Sequence, residues 1–123
     1  MPYRDPLPED CPPADAEEVG DVLDVYRLVR TLPPTEADFL SQRQEHPERK
    51  FTNVTECRAR GLSVFTSAEE ARRRLASVKF RGMHVCRVRL RIGAGSLLKT
   101  GGGSHHTWWP FAQFDILDEC VPG

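Results

Sequence analysis

The stretch that decides the fold is His84-Val-Cys-Arg-Val-Arg-Leu-Arg-Ile92, because apolar and basic side chains alternate along it. Alternate residues of a strand point to opposite faces of a sheet. The apolar residues of one face are Cys86, Val88, Leu90 and Ile92. The basic residues of the other face are Arg87, Arg89 and Arg91. The pattern predicts a strand with one face on a core and the other toward solvent.

Four further segments have the composition of strands. Leu23–Val29 is rich in β-forming residues, with apolar side chains in both phases, which is typical of a central strand. Residues 62–66 and 96–100 predict two shorter strands, and residues 114–117 predict a last one. Glycines between these segments predict the turns that separate them.

Capping residues mark the predicted helices. Ser67, with Glu70 three residues later, predicts the start of a helix whose apolar residues recur at helical spacing. Thr35 and Asp38 predict a helix that continues to about position 43. Residues 54–60 predict a third, short helix that ends at the following glycine.

The order of these elements predicts the fold class. Strands and short helices mix without a regular βαβ alternation and without an internal repeat. This order predicts an α+β fold, in one small domain with a mainly antiparallel sheet and two or three short helices. We place the domain at residues 22–123. Residues 1–21 are predicted as a Pro-rich, acidic arm, because five of the ten prolines lie within residues 1–13 and prevent regular helix there.

Composition limits the classes of protein to which the chain can belong. Its 123 residues suit one domain, and no apolar run approaches the roughly 18–20 residues that a membrane span needs. The first residues lack the apolar segment of a secretory signal, so we expect a soluble, cytoplasmic protein. Four cysteines lie far apart without a C-x-x-C pair, which predicts free thiols and no metal site.

Charge is unevenly distributed, although the net charge is −1. Residues 1–22 hold seven acids and one arginine, whereas residues 67–91 hold eight lysines and arginines against two glutamates. The basic segment forms either solvated faces or a surface for a phosphate-bearing ligand. Arg87, Arg89 and Arg91 would lie about 6.5–7 Å apart along one strand face, close to the phosphate spacing of a single nucleic-acid strand.

The densest functional signal is the run Gly-Gly-Gly-Ser-His-His-Thr-Trp-Trp-Pro at residues 101–110. Imidazole is the usual acid–base group near neutral pH, and indole offers a stacking surface. In an extended segment His105 and His106 point to opposite faces, as do Trp108 and Trp109, so one of each pair can share a pocket. In the alternative interpretation one tryptophan anchors the core, the other covers an edge, and the histidines lie on the surface.

Arg27 is a candidate for anion binding. It lies in the segment Leu23–Val29, whose apolar residues suggest burial on both faces. A buried guanidinium requires a partner. Arg27 therefore either completes a structural ion pair or faces an anionic ligand.

Three segments, in this order, resemble ADP-ribosyltransferase-like domains, which include bacterial toxins and poly-ADP-ribose polymerases. Val25-Tyr-Arg27 resembles the early strand that carries an Arg or His for the NAD pyrophosphate or ribose. Residues 61–71, Gly-Leu-Ser-Val-Phe-Thr-Ser-Ala-Glu-Glu-Ala, resemble a glycine-led strand that runs into a helix. Residues 83–93 resemble the strand that follows, and the resemblance covers about residues 22–120.

The resemblance implies NAD as the cofactor and gives particular residues a role in binding it. Arg27 would hold the NAD phosphates, and Ser63 or Thr66 would be the sheet hydroxyl. The indoles of Trp108 and Trp109 are the candidates for stacking on a base or nicotinamide ring.

The resemblance also implies a catalytic group. His105 or His106 would contact ribose. Domains of this family end in a strand that bears a glutamate, and here Glu119 would orient the ribose, with Asp115 and Asp118 as the other carboxylates nearby.

Two functions of other classes also fit the sequence. One is a protein-interaction module that uses the arm of residues 1–21 and the two tryptophans to hold a partner chain. The other is an RNA-associated domain that uses the strand-borne arginines and an indole for stacking. A pocket lined by Arg27, Ser63 and a histidine would favour nucleotide binding, whereas an exposed apolar patch at the tryptophans would favour protein interaction.

Overall fold

A seven-stranded antiparallel sheet forms the body of the protein, which we describe from a computed structural model. The structure describes residues 1–123, except for the side chains of residues 53 and 54. The strands are β1 (Glu17–Glu18), β2 (Leu23–Val29), β3 (Leu62–Phe65), β4 (His84–Leu90), β5 (Gly95–Lys99), β6 (His105–Pro110) and β7 (Cys120–Pro122). Across the sheet they lie in the order β1-β5-β6-β3-β2-β4-β7.

Short helices connect the strands. The α-helices of the described backbone are α1 (Gln42–Glu45), α2 (Asn53–Ala59) and α3 (Ala68–Arg74), and 3-10 turns lie at Glu36–Phe39, Val78–Phe80 and Leu117–Glu119. Ser67 caps α3, because its Oγ accepts the Glu70 backbone N–H at 3.2 Å. The sheet and helices form the α+β domain that the sequence predicts. None of the described helices has the length and apolar character that a membrane crossing requires.

The alternating segment forms β4, as predicted. Cys86, Val88 and Leu90 are fully buried, whereas Arg89 on the opposite face is exposed. Ile92 lies beyond the end of the strand and is also exposed. β2 pairs with β4 along its whole length, so β2 is a central strand, as its apolar residues in both phases predict.

The helix predicted from Thr35 to about position 43 is interrupted. A 3-10 turn, Glu36–Phe39, comes first, and α1 begins three residues after the turn ends. Leu40 is extended between them, with φ −85° and ψ 139°, which ends the first turn. The predicted capping contact is present, because the Thr35 backbone N–H donates to the Asp38 carboxylate at 3.0 Å.

The strand predicted at residues 114–117 is wrong. The chain turns there, and the last strand is β7, which pairs with the edge of β4. The apolar residues that suggested a strand are core contacts. Phe114 meets the edge of the Trp108 ring with centroids 5.8 Å apart, and Ile116 is buried.

The N-terminal arm packs along the β5–β6 side of the sheet. Tyr3 forms a β-bridge with Phe111, and their ring centroids are 4.9 Å apart. The Tyr3 hydroxyl also bonds the Ser96 hydroxyl at 2.9 Å. Farther along the arm, β1 pairs with β5. The arm therefore covers one edge of the sheet.

The prediction of free thiols is wrong for two of the four cysteines. Cys11 and Cys57 form a disulfide with their Cα atoms 5.6 Å apart, which joins the arm to α2. The two residues are 46 positions apart, so no local sequence pattern predicts the bond. Cys86 and Cys120 are free. Disulfides are rare in the reducing cytosol, so this bond adds no support to the cytoplasmic location, which stays a prediction.

β2 and β3 separate within the sheet, and this separation positions the site described below. In the described backbone they are paired at one position, Tyr26 opposite Phe65. β3 is instead paired with β6 at all four of its residues, up to Phe65 opposite His105. Because β2 and β3 run antiparallel, the end of β2 and the beginning of β3 diverge and leave an opening in the sheet.

Candidate functional site

A cavity of about 680 Å³ is lined by residues from both sides of this opening. Its volume is in the range of pockets that hold small-molecule ligands and cofactors. Residues of β2, β3 and β6 line it from the sheet, and residues of α1, α2 and the end of α3 line it from the helices. Arg27, Ser63 and His105 are all lining residues. The structure therefore brings together three of the residues that the sequence predicts for a nucleotide site.

Two backbone carbonyls hold the guanidinium of Arg27. Its Nε donates to the Asp38 oxygen at 2.9 Å, and its Nη1 donates to the Ser63 oxygen at 2.8 Å. The guanidinium carbon also lies 5.6 Å from the centre of the Phe39 ring. Burial lowers the pKa of Arg27 to about 10, so the group remains a cation at neutral pH.

The carboxylate of Asp38 lies near Arg27 but is bound by its own loop. It accepts the Arg30 backbone N–H and the Thr31 hydroxyl, both at 2.7 Å, and the Thr35 backbone N–H at 3.0 Å. Burial opposes ionisation of Asp38, but these hydrogen bonds and the charge of Arg27 outweigh it and leave the pKa of the carboxyl below its ordinary value. Asp38 is therefore ionised without forming an ion pair with Arg27.

Arg27 forms no close ion pair with a described side chain, although the carboxylates of Asp38 and Glu45 act on it at longer range. It takes part in none of the ion pairs between described side chains, and its Nη2 makes no hydrogen bond to them. The structural ion pair that the sequence offered as an alternative is thus absent from this part of the chain. A fixed cation that forms no ion pair is suited to an anionic ligand.

His105 is held by two threonines. Its Nδ1 lies 3.2 Å from the Thr100 hydroxyl, which in turn lies 2.8 Å from the Thr107 hydroxyl. The ring of Phe65 meets the imidazole edge to face, with centroids 5.4 Å apart. Burial lowers the pKa of His105, so the imidazole is neutral at pH 7. A neutral imidazole can accept a proton or a hydrogen bond from a ligand.

His106 does not share this site. Its Nδ1 lies 2.7 Å from the Ser104 backbone oxygen, and its side chain is not part of the cavity wall. Successive residues of β6 point to opposite faces, so only one of the two histidines reaches the cavity. The structure places His105 there.

Of the two residues predicted to supply a hydroxyl, Ser63 lines the cavity and Thr66 does not. Ser63 is exposed and lines the cavity, and its side chain makes no hydrogen bond to other described residues. Thr66 lies beyond the end of β3, outside the lining, where its backbone N–H donates to the Ser104 oxygen at 3.1 Å. Ser63 is thus the hydroxyl that can meet a ligand in the cavity.

The predicted carboxylates lie away from the cavity. Glu119 is bound to Arg91 at 2.7 Å, and Asp115 accepts the Asp118 backbone N–H at 3.3 Å. None of these three acids lines the cavity. The reason is their place in the fold, since β7 lies at the sheet edge and β4 separates it from β2.

Trp108 and Trp109 are both fully buried. The Trp108 indole N–H donates to the Ala94 oxygen at 3.0 Å, and that of Trp109 donates to the Cys57 oxygen at 2.9 Å. Covered indoles have no free face for a nicotinamide, a base or a partner chain. The predicted stacking role is therefore wrong, and the described residues form no exposed apolar patch at the two indoles. The interpretation that one tryptophan anchors the core is right for Trp108. Phe114 packs on the Trp108 side of β6 and α2 lies on the Trp109 side, so both indoles are covered.

The arginines of β4 and the residue that follows it lie close to carboxylates. Arg89 donates to Asp24 at 2.9 Å and Arg91 to Glu119 at 2.7 Å, while Arg87 Nε lies 4.0 Å from the Asp24 carboxylate. This surface is largely neutralised. It offers little free charge for the phosphates of a nucleic acid.

Four cations of the cavity wall were not assigned to the site from sequence. They are Arg30 directly after β2, Arg58 on α2, Arg74 at the end of α3, and Lys79 in the following 3-10 turn. The surplus of basic residues in positions 67–91 was a signal for two of them. No sequence pattern pointed to Arg58, because its position depends on how α2 packs over the sheet.

Comparison with protein-family models, with curated proteins and with solved structures finds no match to this chain.

Proposed function

We propose that the cavity binds an NAD-type dinucleotide, in the manner of an ADP-ribosyltransferase-like domain. One observation carries the proposal. Arg27 is fixed by the Asp38 and Ser63 carbonyls, lacks a carboxylate partner among the described residues, and lines a cavity of about 680 Å³. A guanidinium held in this way is prepared for a phosphate oxygen, since its orientation is set before the ligand arrives.

The positions of the resembling segments support the proposal. The segments that resemble the family form β2, β3 and β4, which are neighbours in the sheet. Residues implied to hold NAD, Arg27 and Ser63, lie on the wall of one cavity with His105. These residues come from three separate parts of the chain, and a pocket that they line together is the arrangement that favours nucleotide binding.

The chemistry of the wall also suits a dinucleotide. Phosphates need cations, and the wall carries several basic side chains. Rings need apolar or aromatic surface, and Phe65, Phe80 and Met83 supply it. A bound NAD would supply the ADP-ribosyl group for transfer.

Any transfer reaction in this cavity would depend on His105 more than on Glu119. Glu119 is bound to Arg91 at the far edge of the sheet, whereas the neutral imidazole of His105 lines the cavity. His105 could accept a proton from an attacking hydroxyl or water. Binding of the dinucleotide is the primary claim, and transfer is its consequence.

Calorimetric titration with NAD, ADP-ribose and adenosine tests the proposal. We expect NAD and ADP-ribose to bind and adenosine, which lacks phosphates, to bind much more weakly. Arg27→Gln should weaken NAD binding by at least about tenfold, because it removes a charged hydrogen-bond donor. Arg89→Gln is the matched control, since Arg89 lies in the neighbouring strand and is paired with Asp24. Absence of NAD binding, or equal effects of the two variants, would contradict the proposal.

The observations favour neither of the other two functions. A protein-interaction surface at Trp108 and Trp109 requires exposed indoles, and both are buried. An RNA surface on the β4 arginines requires free cations, and carboxylates pair with them.

A further inference from the structure

The cavity carries more positive charge than the phosphates at Arg27 would require. The basic lining residues are Arg27, Arg30, Arg58, Arg74 and Lys79. The acidic lining residues are Asp38 and Glu45. The carboxylate of Asp38 is bound by its own loop. None of the five basic residues forms an ion pair with another described side chain.

Arg74 lies at the His105 end of the cavity, whose wall also includes Arg58. The guanidinium carbon of Arg74 is 5.3 Å from the centre of the Phe65 ring, and His105 meets the same ring from its edge at 5.4 Å. Burial lowers the pKa of His105, and the nearby charges of Arg74, His106 and Arg58 lower it further. Arg74 and His105 thus pack on the same ring, and Arg58 lines the same cavity.

This group is separate from Arg27. Arg27 binds the Ser63 carbonyl, whereas Arg74 lies over Phe65, two residues farther along β3. At a rise of about 3.3 Å per residue, the two anchor points on β3 are roughly 7 Å apart. Because the two guanidinium groups are anchored at different residues of β3, Arg74 and His105 can contact an anion of their own.

We propose that Arg58, Arg74 and His105 form a second anion site, which binds the dianion of a phosphate monoester. The inference rests on the proposed function only for the identity of the ligand at Arg27. The monoester has two sources. It is either a further phosphate on the dinucleotide itself, as in NADP, or a phosphate on a second molecule bound beside the dinucleotide.

The test is a titration with inorganic phosphate at pH 7.5 and constant ionic strength, in which NMR records the signal of a His105 ring proton. Phosphate should shift the His105 signal. Arg74→Gln should weaken phosphate binding by at least about tenfold, as expected for the loss of a charged donor. Arg72→Gln is the matched control, since Arg72 is exposed on the same helix and outside the cavity wall. It should leave the affinity within about twofold, because a screened exposed charge contributes little.

Arg27→Gln separates this inference from the proposed function. Phosphate binding at His105 should survive in this variant, while NAD binding should weaken by at least about tenfold. If the chain binds phosphate in this way but never binds NAD, the second anion site stands and the proposed function does not. The site is refuted if phosphate leaves the His105 signal unchanged, if Arg72→Gln and Arg74→Gln weaken binding equally, or if Arg27→Gln also abolishes it.

Two further titrations identify the source of the monoester. Tighter binding of NADP than of NAD, with the preference lost in Arg74→Gln, would assign the phosphate to the dinucleotide. Simultaneous binding of NAD and inorganic phosphate would assign it to a second molecule. Equal affinity for NAD and NADP, together with displacement of phosphate by NAD, would overturn the proposal of a separate site.

Discussion

The guanidinium Nη1 of Arg27 donates a hydrogen bond of 2.8 Å to the carbonyl oxygen of Ser63, where β2 and β3 diverge. This carbonyl is one that a continuous β2–β3 ladder could engage. Because β2 and β3 are paired at one position in the described backbone, a side chain binds it instead. The separation of the strands thus opens the cavity and leaves free the carbonyl that fixes Arg27 on its wall.

Asp38 should matter for both stability and ligand binding. Asp38→Asn replaces an acceptor of three hydrogen bonds by a group that accepts fewer, so we expect a loss of about 1–3 kcal/mol in the free energy of unfolding. NAD binding should also weaken, since the Asp38 carbonyl orients Arg27. Urea unfolding and calorimetry measure the two effects. Asp21→Asn, at an exposed position, is the control, and an equal loss in that variant would contradict the prediction.

His105 should make the protein less stable in mild acid. Its pKa is below the ordinary value in the folded state, so the unfolded chain binds more protons as the pH falls below about 6.5. The stability contributed by the neutral imidazole is therefore present at higher pH and is lost as pH falls toward the folded-state pKa. His105→Gln should flatten this part of the stability profile, measured by urea unfolding from pH 7.5 to 5. His84→Gln, on an exposed residue of β4, should leave the slope unchanged, and identical profiles for wild type and His105→Gln would refute the prediction.

The Cys11–Cys57 disulfide should contribute substantially to stability. A cross-link between residues 46 positions apart restricts the unfolded chain, for which the chain-entropy model gives about 4 kcal/mol. Cys11→Ser removes the bond and leaves the Cys57 carbonyl available to Trp109. Urea unfolding of this variant measures the loss. A change below about 1 kcal/mol, within the spread of surface substitutions, would show that the cross-link does not constrain the unfolded state.

Gly95 should be intolerant of a side chain. Its φ is +124°, and a Cβ atom there would lie 2.1 Å from the Trp109 carbonyl oxygen. Gly95→Ala should therefore cost more than about 2 kcal/mol, because the strain and the backbone contact add. Gly20→Ala is the control, since a Cβ at that position meets nothing within 4 Å. Thermal unfolding should show the two variants far apart, and similar midpoints would contradict the assigned packing of β5 on β6.

Local patterns predicted much of the fold. The alternation along β4, the two-phase apolar pattern of β2 and the Ser67 cap of α3 each depend on residues close in sequence, and all three are present. The rule that successive strand residues face opposite ways also held for His105 and His106. Such features follow from backbone geometry and need no knowledge of distant contacts.

Features that depend on distant contacts could not be predicted in the same way. The burial of both tryptophans depends on residues distant in sequence, among them Ala94 beside Trp108 and Cys57 beside Trp109. The Cys11–Cys57 bond requires the arm to fold back on α2. The unpaired state of Arg27 depends on Asp38 bonding to its own loop, which sequence alone left open as an ion pair.

The most direct test of nucleotide binding in the cavity is NMR mapping of the wild-type chain with saturating NAD. We expect perturbed resonances for the backbone amides of Ser63 and Phe65, for the His105 ring and for the Arg27 Nε–H. Signals around Arg89, on the paired face of β4, should not move. The absence of any perturbation by NAD, or perturbation confined to the surroundings of Arg89, would contradict the account.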